Sequence, residues 1–509
     1  MFAARTMAEL VPDFRDKVGA AGIDHTLSLL FAAGGDSRIW PDASTGRNRY
    51  GTRTVPAMDE ISFASTTASN ISPQSFAAAG HQLKRLFGVD GAATIAVGEW
   101  FTEMRGRIGA SIGCNESGIV LAASGTDVEL LALSLMLALS PRPITNILIA
   151  PEETGSGVPR AAAGRHFLDA TALGRAVIAG EMLAGIAADR VEVQAVAIRD
   201  ALGQARSADD VDVDVTSIAK DALKRGRDVL VHVLDTSKTG LNGVSREAAR
   251  YISTLAPGRV RVLVDACQFR CSANVLAGDI ADGFLVAVTG SKFLAGPPFA
   301  GALAIPPALV EELTTKSALA TGLSDYTALH DWPALLRSRS DQEFGSHFNL
   351  GLGLRWIAAL EQLEPMAGID AIAERRIKQA FADHVRARAE NLEGVLIHPD
   401  DEGDHIVDRA IVPLTMAVDG NGFASLAQAQ GIHLALRESD VGPVCHVGQA
   451  VNLGTRAILR VAASAIHINA VSDRLGSGDT MEEAMRPIAD DLDILFEKWA
   501  ALSQSSRGM

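Results

Sequence analysis

A chain of 509 residues, 48% of them hydrophobic, can bury a large core and, as a length prior, makes two or three domains. A net charge of -15 excludes the basic footprint of a general nucleic-acid binder, and the longest apolar run, near residues 130–139, is too short to span a bilayer. No leader pattern opens the chain and four cysteines make no disulfide framework or zinc site, so a cytoplasmic globular protein with small-molecule partners is expected.

The first 60 residues read as an N-terminal arm, with helical patterns over 7–18 and 24–33 and then a turn-rich stretch containing Pro41, Gly46 and Gly51. ISFASTTASNIS, 61–72, is dense in small hydroxyl residues that suit loops and caps, and leads into a helical pattern over 76–87. A strand over 118–122 is followed by Ser124, Gly125, Thr126 and Asp127, which open an apolar helix over 128–139. A glycine and a threonine beside free helix amides make a phosphate site, although the same four residues also make a good cap.

Strands over 146–150, 191–197, 228–234 and 260–264 alternate with helices over 161–168, 216–225 and 245–255, the order of a doubly wound, mainly parallel α/β sheet. Two loops, PEETGS at 151–156 and DTSKTG at 235–240, fall at strand C-terminal ends, where such sheets bind ligands. After about residue 309 a polar stretch over 321–342 gives way to helices near 354–363, 369–391 and 480–502 and strands near 410–418 and 457–462. The chain therefore divides into an arm (1–60), a large domain (61–320) and a smaller C-terminal α+β domain (321–509).

The stretch 261–301 carries the chemistry. Its apolar runs, 262–264 and 284–288, read as buried strands; the first ends in Asp265 and Gln268, the second in Thr289, Ser291 and Lys292, with Gly296, Pro297 and Pro298 behind. Singly, such a lysine is usually a solvated strand end and such an aspartate a cap. Together, a carboxylate and an amine at one sheet edge suit pyridoxal phosphate, which needs a lysine for its Schiff base and an acid to keep its ring nitrogen protonated.

VDACQ followed by TGSKFLAGPPFAGAL resembles the aminotransferase class V and cysteine desulfurase superfamily of fold-type I pyridoxal-phosphate enzymes, and the resemblance extends in order and spacing over roughly 61–502. It implies a large cofactor-binding domain, a small C-terminal domain, an amino-acid substrate and a homodimer. By resemblance Lys292 is the Schiff-base lysine, Asp265 the partner of the pyridine nitrogen and Gln268 that of the phenolic oxygen. Ser124, Gly125 and Thr126 form the phosphate turn, and Thr289 and Ser291 flank the lysine, Ser291 standing where desulfurases place histidine. Ser237 matches a residue near the phenolic oxygen, with Lys238 as a competing amine. Thr154 or nearby backbone covers the ring in place of a family histidine. Thr67 lies in a segment that enters the site, and Ser346 matches a turn that contacts phosphate across the dimer interface. Arg460, in AILRVAAS, matches the arginine that binds the substrate carboxylate, with Arg437 and Arg456 as other candidates; arginine suits the role through bidentate hydrogen bonding.

Cys445, in GPVCHVGQ, lies fifteen positions before Arg460, a separation resembling desulfurases and selenocysteine lyases whose loop thiol attacks the substrate sulfur. A thiol beside His446 and between Gly442 and Gly448 could be a persulfide carrier; the competing reading is a buried, inert cysteine, since the residues before it lack that group's His-Cys pattern. Transamination, elimination by a lyase and desulfuration all use these parts. A non-catalytic scaffold is a further reading, against which the retained Lys292 and Asp265 speak.

Overall fold

Short runs of Val, Ile and Leu bounded by turn residues become strands buried on both faces. The computed structural model describes residues 22–507 apart from 90, 316–318, 338–343, 345–347, 399–403, 419–421 and 439, so the helical pattern over 7–18 and Ser346 lie outside the described residues. After β1 (Glu60–Phe63) come β2 (Ile119–Ala122), β3 (Ile144–Ile149), β4 (Val191–Val196), β5 (Asp228–Leu234), β6 (Val260–Ala266), β7 (Leu285–Thr289) and β8 (Gly301–Ala304). The last seven form one sheet, ordered β2-β8-β7-β6-β5-β3-β4; β3 to β7 are parallel, and β8 is antiparallel to both neighbours. Alternation divides the strands between two cores: Val262, Val264, Val286 and Val288 enter one, Leu263, Leu285 and Ala287 the other.

The second sheet contains β9 (Val395–Ile397), β10 (Ile411–Val418), β11 (Gly422–Phe423), β12 (Val444–Leu453) and β13 (Arg456–Ala462). β1 joins it at the edge, parallel to β12, with Glu60 opposite Val444 and Phe63 opposite Val447. The chain thus contributes to the smaller sheet before it builds the larger one. The expected helix over 161–168 is shorter, Val158–Ala162, and Gly164 follows in the left-handed region (φ 72°). Among the described residues no helix is long and apolar enough to cross a membrane.

The N-terminal segment is docked through helix Leu350–Met366. Gly351 permits contact with helix Ile23–Phe31: a Cβ there would lie 2.2 Å from the Ala33 carbonyl oxygen and 2.4 Å from that of Leu30. One turn on, the fully buried Arg355 donates to the carbonyls of Ala33 (2.6 Å), Gly34 (2.9 Å) and Phe299 (2.6 Å). With a further bond to the Phe31 carbonyl (3.2 Å), they hold the last turn of the short helix and the residues after it, and tie both to the loop behind Lys292.

Candidate active site

β6 and β7 are adjacent and parallel, so their C-terminal ends deliver Asp265 and Lys292 to one edge. Asp265 Oδ1 accepts from the Cys267 amide (3.0 Å), and the Thr289 hydroxyl donates to the Cys267 carbonyl (2.6 Å), tying the two strand ends together. Beyond Thr289 the chain folds tightly on helix Leu350–Met366: a Cβ on Gly290 would lie 2.5 Å, and one on Gly296 2.9 Å, from the Ala359 Cβ. Ala295 (φ 54°) and Phe299 (φ 77°) are held in the left-handed region, each at a cost of about 1–3 kcal/mol. This strained loop places Lys292 on the cleft wall, its carbonyl accepting from the Ser69 hydroxyl (3.3 Å).

Facing it is the N-terminus of helix Gly125–Leu139. Ser124 caps the helix, accepting from the Asp127 amide (3.3 Å) and hydrogen bonding to the Asp127 carboxyl. Burial pushes that carboxyl up to about 7 against the pull of the Ser124 bond. A Cβ on Gly125 would lie 2.8 Å from the Cys267 Sγ, so only glycine lets the helix begin this close to the end of β6. The first amides of a helix have no partner within it, and here they border the cleft.

The cleft brings Asp265, Gln268, Thr289, Ser291 and Lys292 together with Thr67, Ser124, Gly125, Thr126 and Thr154. The Gln268 Nε2 donates to the Thr66 carbonyl (3.0 Å), and its buried Oε1 has no partner among the described residues. The Thr154 hydroxyl donates to the Pro151 carbonyl (3.2 Å).

Three expectations are corrected. Ser237 turns inward and donates to the buried Glu153 Oε2 (2.8 Å), while its neighbours Thr236 and Lys238 line the cleft. Arg460 is fully buried behind Thr66 and Thr67, whose hydroxyls accept from its Nη2 (3.2 Å each), and it does not itself line the cleft. Burial lowers its guanidinium to about 9 against the opposing pull of Glu153. Neither alternative replaces it: Arg456 stacks on Phe423 (4.2 Å) and Arg437 packs at Gly51.

The third correction concerns Cys445, which lies on β12 opposite Ile61, fully buried and outside the cleft. Its thiol meets the Pro443 carbonyl (3.5 Å), and burial pushes it up to about 11, opposite to the lowering that a nucleophilic thiol needs. His446, on the opposite face of the strand, is bonded to Glu60 (2.7 Å). Cys445→Ala is therefore expected to cost about 1–2 kcal/mol in urea unfolding and to leave turnover unchanged; a folded but inactive variant would reinstate the thiol.

The docked N-terminal segment adds residues that sequence reasoning missed. Arg38, paired with Asp36 (2.7 Å) and stacked over Phe299 (4.7 Å), lines the cleft with Tyr50. The only local signal was Asp36 as a cap; the placement comes from Gly351 and Arg355. Glu153 was readable as an acid at a strand end, but its burial was not.

The strand order, with an antiparallel β8 inside an otherwise mainly parallel run, a lysine after β7 and a second sheet built from the C-terminal part, defines fold type I, the class expected above. The chain is similar to the crystal structure of the cysteine desulfurase CsdA from Escherichia coli, with a TM-score of 0.51 and 14% identity over 86% of this chain and 93% of that one; this likeness establishes the fold alone. Two structures of SPT with PLP align with TM-scores of 0.49, at 12% and 11% identity over 86% and 88% of this chain and 87% and 89% of theirs, and nothing further rests on them. No protein-family model and no curated protein matches the sequence.

Proposed function

We propose that the protein is a pyridoxal-phosphate-dependent enzyme of the aminotransferase class V type, a transferase or lyase that acts as a homodimer on a small amino acid. The observation that carries this is the delivery of Asp265 and Lys292, from adjacent parallel strands, to a cleft that also meets a helix N-terminus. The donor set fits the group: an amine for its aldehyde, a carboxylate for its ring nitrogen, helix amides with Thr126 for its phosphate, and Gln268 with an unmet buried amide oxygen. When bound, the cofactor supplies an electron sink for bonds broken at the substrate Cα.

The protein's own residues do the rest. Asp265 would hold a proton at the ring nitrogen, the Gly125 and Thr126 amides would hold the phosphate end, and Thr154 would border the ring. Lys292 serves as the base that takes the Cα proton. The burial of Cys445 supports transamination or elimination, neither of which requires a protein thiol, over desulfuration.

Adding pyridoxal phosphate to the purified protein is expected to give a visible absorbance band. Borohydride reduction and digestion should then place the label on the Lys292 peptide and not on that of Lys238. No band and no label would make the chain a scaffold with this fold.

A further inference from the structure

One wall of the cleft, formed by the turn after β5 and the Thr66–Thr67 segment, holds one basic side chain, Lys238, and is backed by another, Arg460, neither in direct contact with an acid among the described residues. Glu153 is fully enclosed and its carboxylate is committed: Oε1 takes Arg199 Nε (2.6 Å), and Oε2 takes the hydroxyls of Ser237 (2.8 Å) and Thr239. These contacts commit its oxygens, so Glu153 acts on Arg460 and Lys238 only at a distance, and among the described residues neither cation has an acid in direct contact.

Arg460 gives one nitrogen to Thr66 and Thr67, while its Nε and Nη1 are buried without a hydrogen-bond partner among the described residues. Lys238 is held in place by its backbone amide, which donates to the Glu153 carbonyl (3.0 Å), and its side chain borders the cleft. Among the described residues its ammonium makes no hydrogen bond or ion pair. Burial, followed by the charges of Arg460 and Lys292, lowers it to about 7.

Enclosed cations without counter-charges are unfavourable, and a ligand that supplies anions removes the penalty. A substrate whose single carboxylate is received at Thr67, in front of Arg460, leaves Lys238 without an anion. We propose that the substrate is an amino acid with a second carboxylate, its α-carboxylate received by the Thr67 hydroxyl that Arg460 orients and its side-chain carboxylate by Lys238. Lys238 is then the specificity-determining residue, and Arg460 a positioning residue acting through Thr67. This inference rests on the amino-acid reading of the same site.

The test is calorimetric titration of the protein, with and without added pyridoxal phosphate, using the unreactive probes glutarate and butyrate. Wild type is expected to bind glutarate about tenfold more tightly than butyrate, the worth of one charge-assisted hydrogen bond. Lys238→Gln should bring the two within about twofold by losing that bond, and Lys238→Arg should restore the preference; thermal melting checks that each variant is folded. Equal binding of the probes by wild type, or an unchanged preference in folded Lys238→Gln, overturns the inference. The cofactor reading fails separately: an absent absorbance band with the glutarate preference intact refutes the cofactor and keeps the anion site, whereas a normal band without the preference refutes the second carboxylate alone.

Discussion

Lys292→Ala is expected to slow exchange of the Cα proton of a bound amino acid with solvent deuterium by about 10³-fold or more, the scale of a lost general base. The substitution leaves the loop standing, because what holds the segment is backbone: the Lys292 carbonyl accepts from Ser69 (3.3 Å) and from the Ala295 amide (3.1 Å), and the Gly296 amide donates to the Gly290 carbonyl (2.9 Å). The melting temperature should therefore move little while exchange collapses and the visible band is lost. Added ethylamine, a diffusible amine, should restore part of the exchange, an outcome that a structural defect would not produce. Lys238 is not expected to substitute, since it stands on the turn after β5 and not on the β7 edge. Residual exchange above about a tenth of wild type would move the base to another residue, with Lys238 the first to examine.

Glu60→Ala is expected to cost about 3–5 kcal/mol in urea unfolding, the range for removing one partner from a buried charge cluster. The Glu60 side chain is fully enclosed and joins three parts of the chain: Arg47 (2.7 and 2.9 Å) and Arg53 (3.0 Å) before β1, Asn70 (3.1 Å) after it, and His446 (2.7 Å) on β12. Burial favours its neutral form, but the hydrogen bonds of His446 and Arg47 outweigh that and hold the carboxyl at about 2, below its ordinary 4.5. A carboxyl lowered in the folded state stabilises fully above its unfolded value, so this contribution is present above pH 4.5 and is lost as pH falls from about 4.5 to about 2. Wild-type stability should decline through that window, and Glu60→Gln should flatten the decline. Burial also pulls His446 below its usual range, leaving the arginines to carry the positive charge at neutral pH. A loss under about 1 kcal/mol would put the cluster among ordinary surface ion pairs.

Much of the large domain was legible because its signals are local. A parallel strand is a short apolar run with turn residues after it, and strand C-terminal ends converge on one edge whatever the detailed packing. Asp265, Lys292 and the Ser124–Thr126 turn could thus be named from spacing and resemblance, and the cleft contains them all. Cys445 shows where that reach ends. His446, Gly448 and Gln449 give residues 444–453 the appearance of a loop, but pairing with β13 from Gly448 onward and with β1 over 444–447, where Glu60 and His446 are 386 positions apart, makes them a strand and buries the thiol.

The sequence by itself determined the class of fold, the strand ends that carry the site, and the lysine–aspartate pair, because each depends on residues close along the chain. Which side chains reach the cleft was decided by tertiary structure. Arg38 and Tyr50 arrive because Arg355 pins their segment to the loop behind Lys292, Lys238 replaces Ser237 because Glu153 draws the serine inward, and Arg460 is screened by two threonine hydroxyls. Each is a competition among partners distant in sequence for the same buried space, and no local pattern of residues records its outcome.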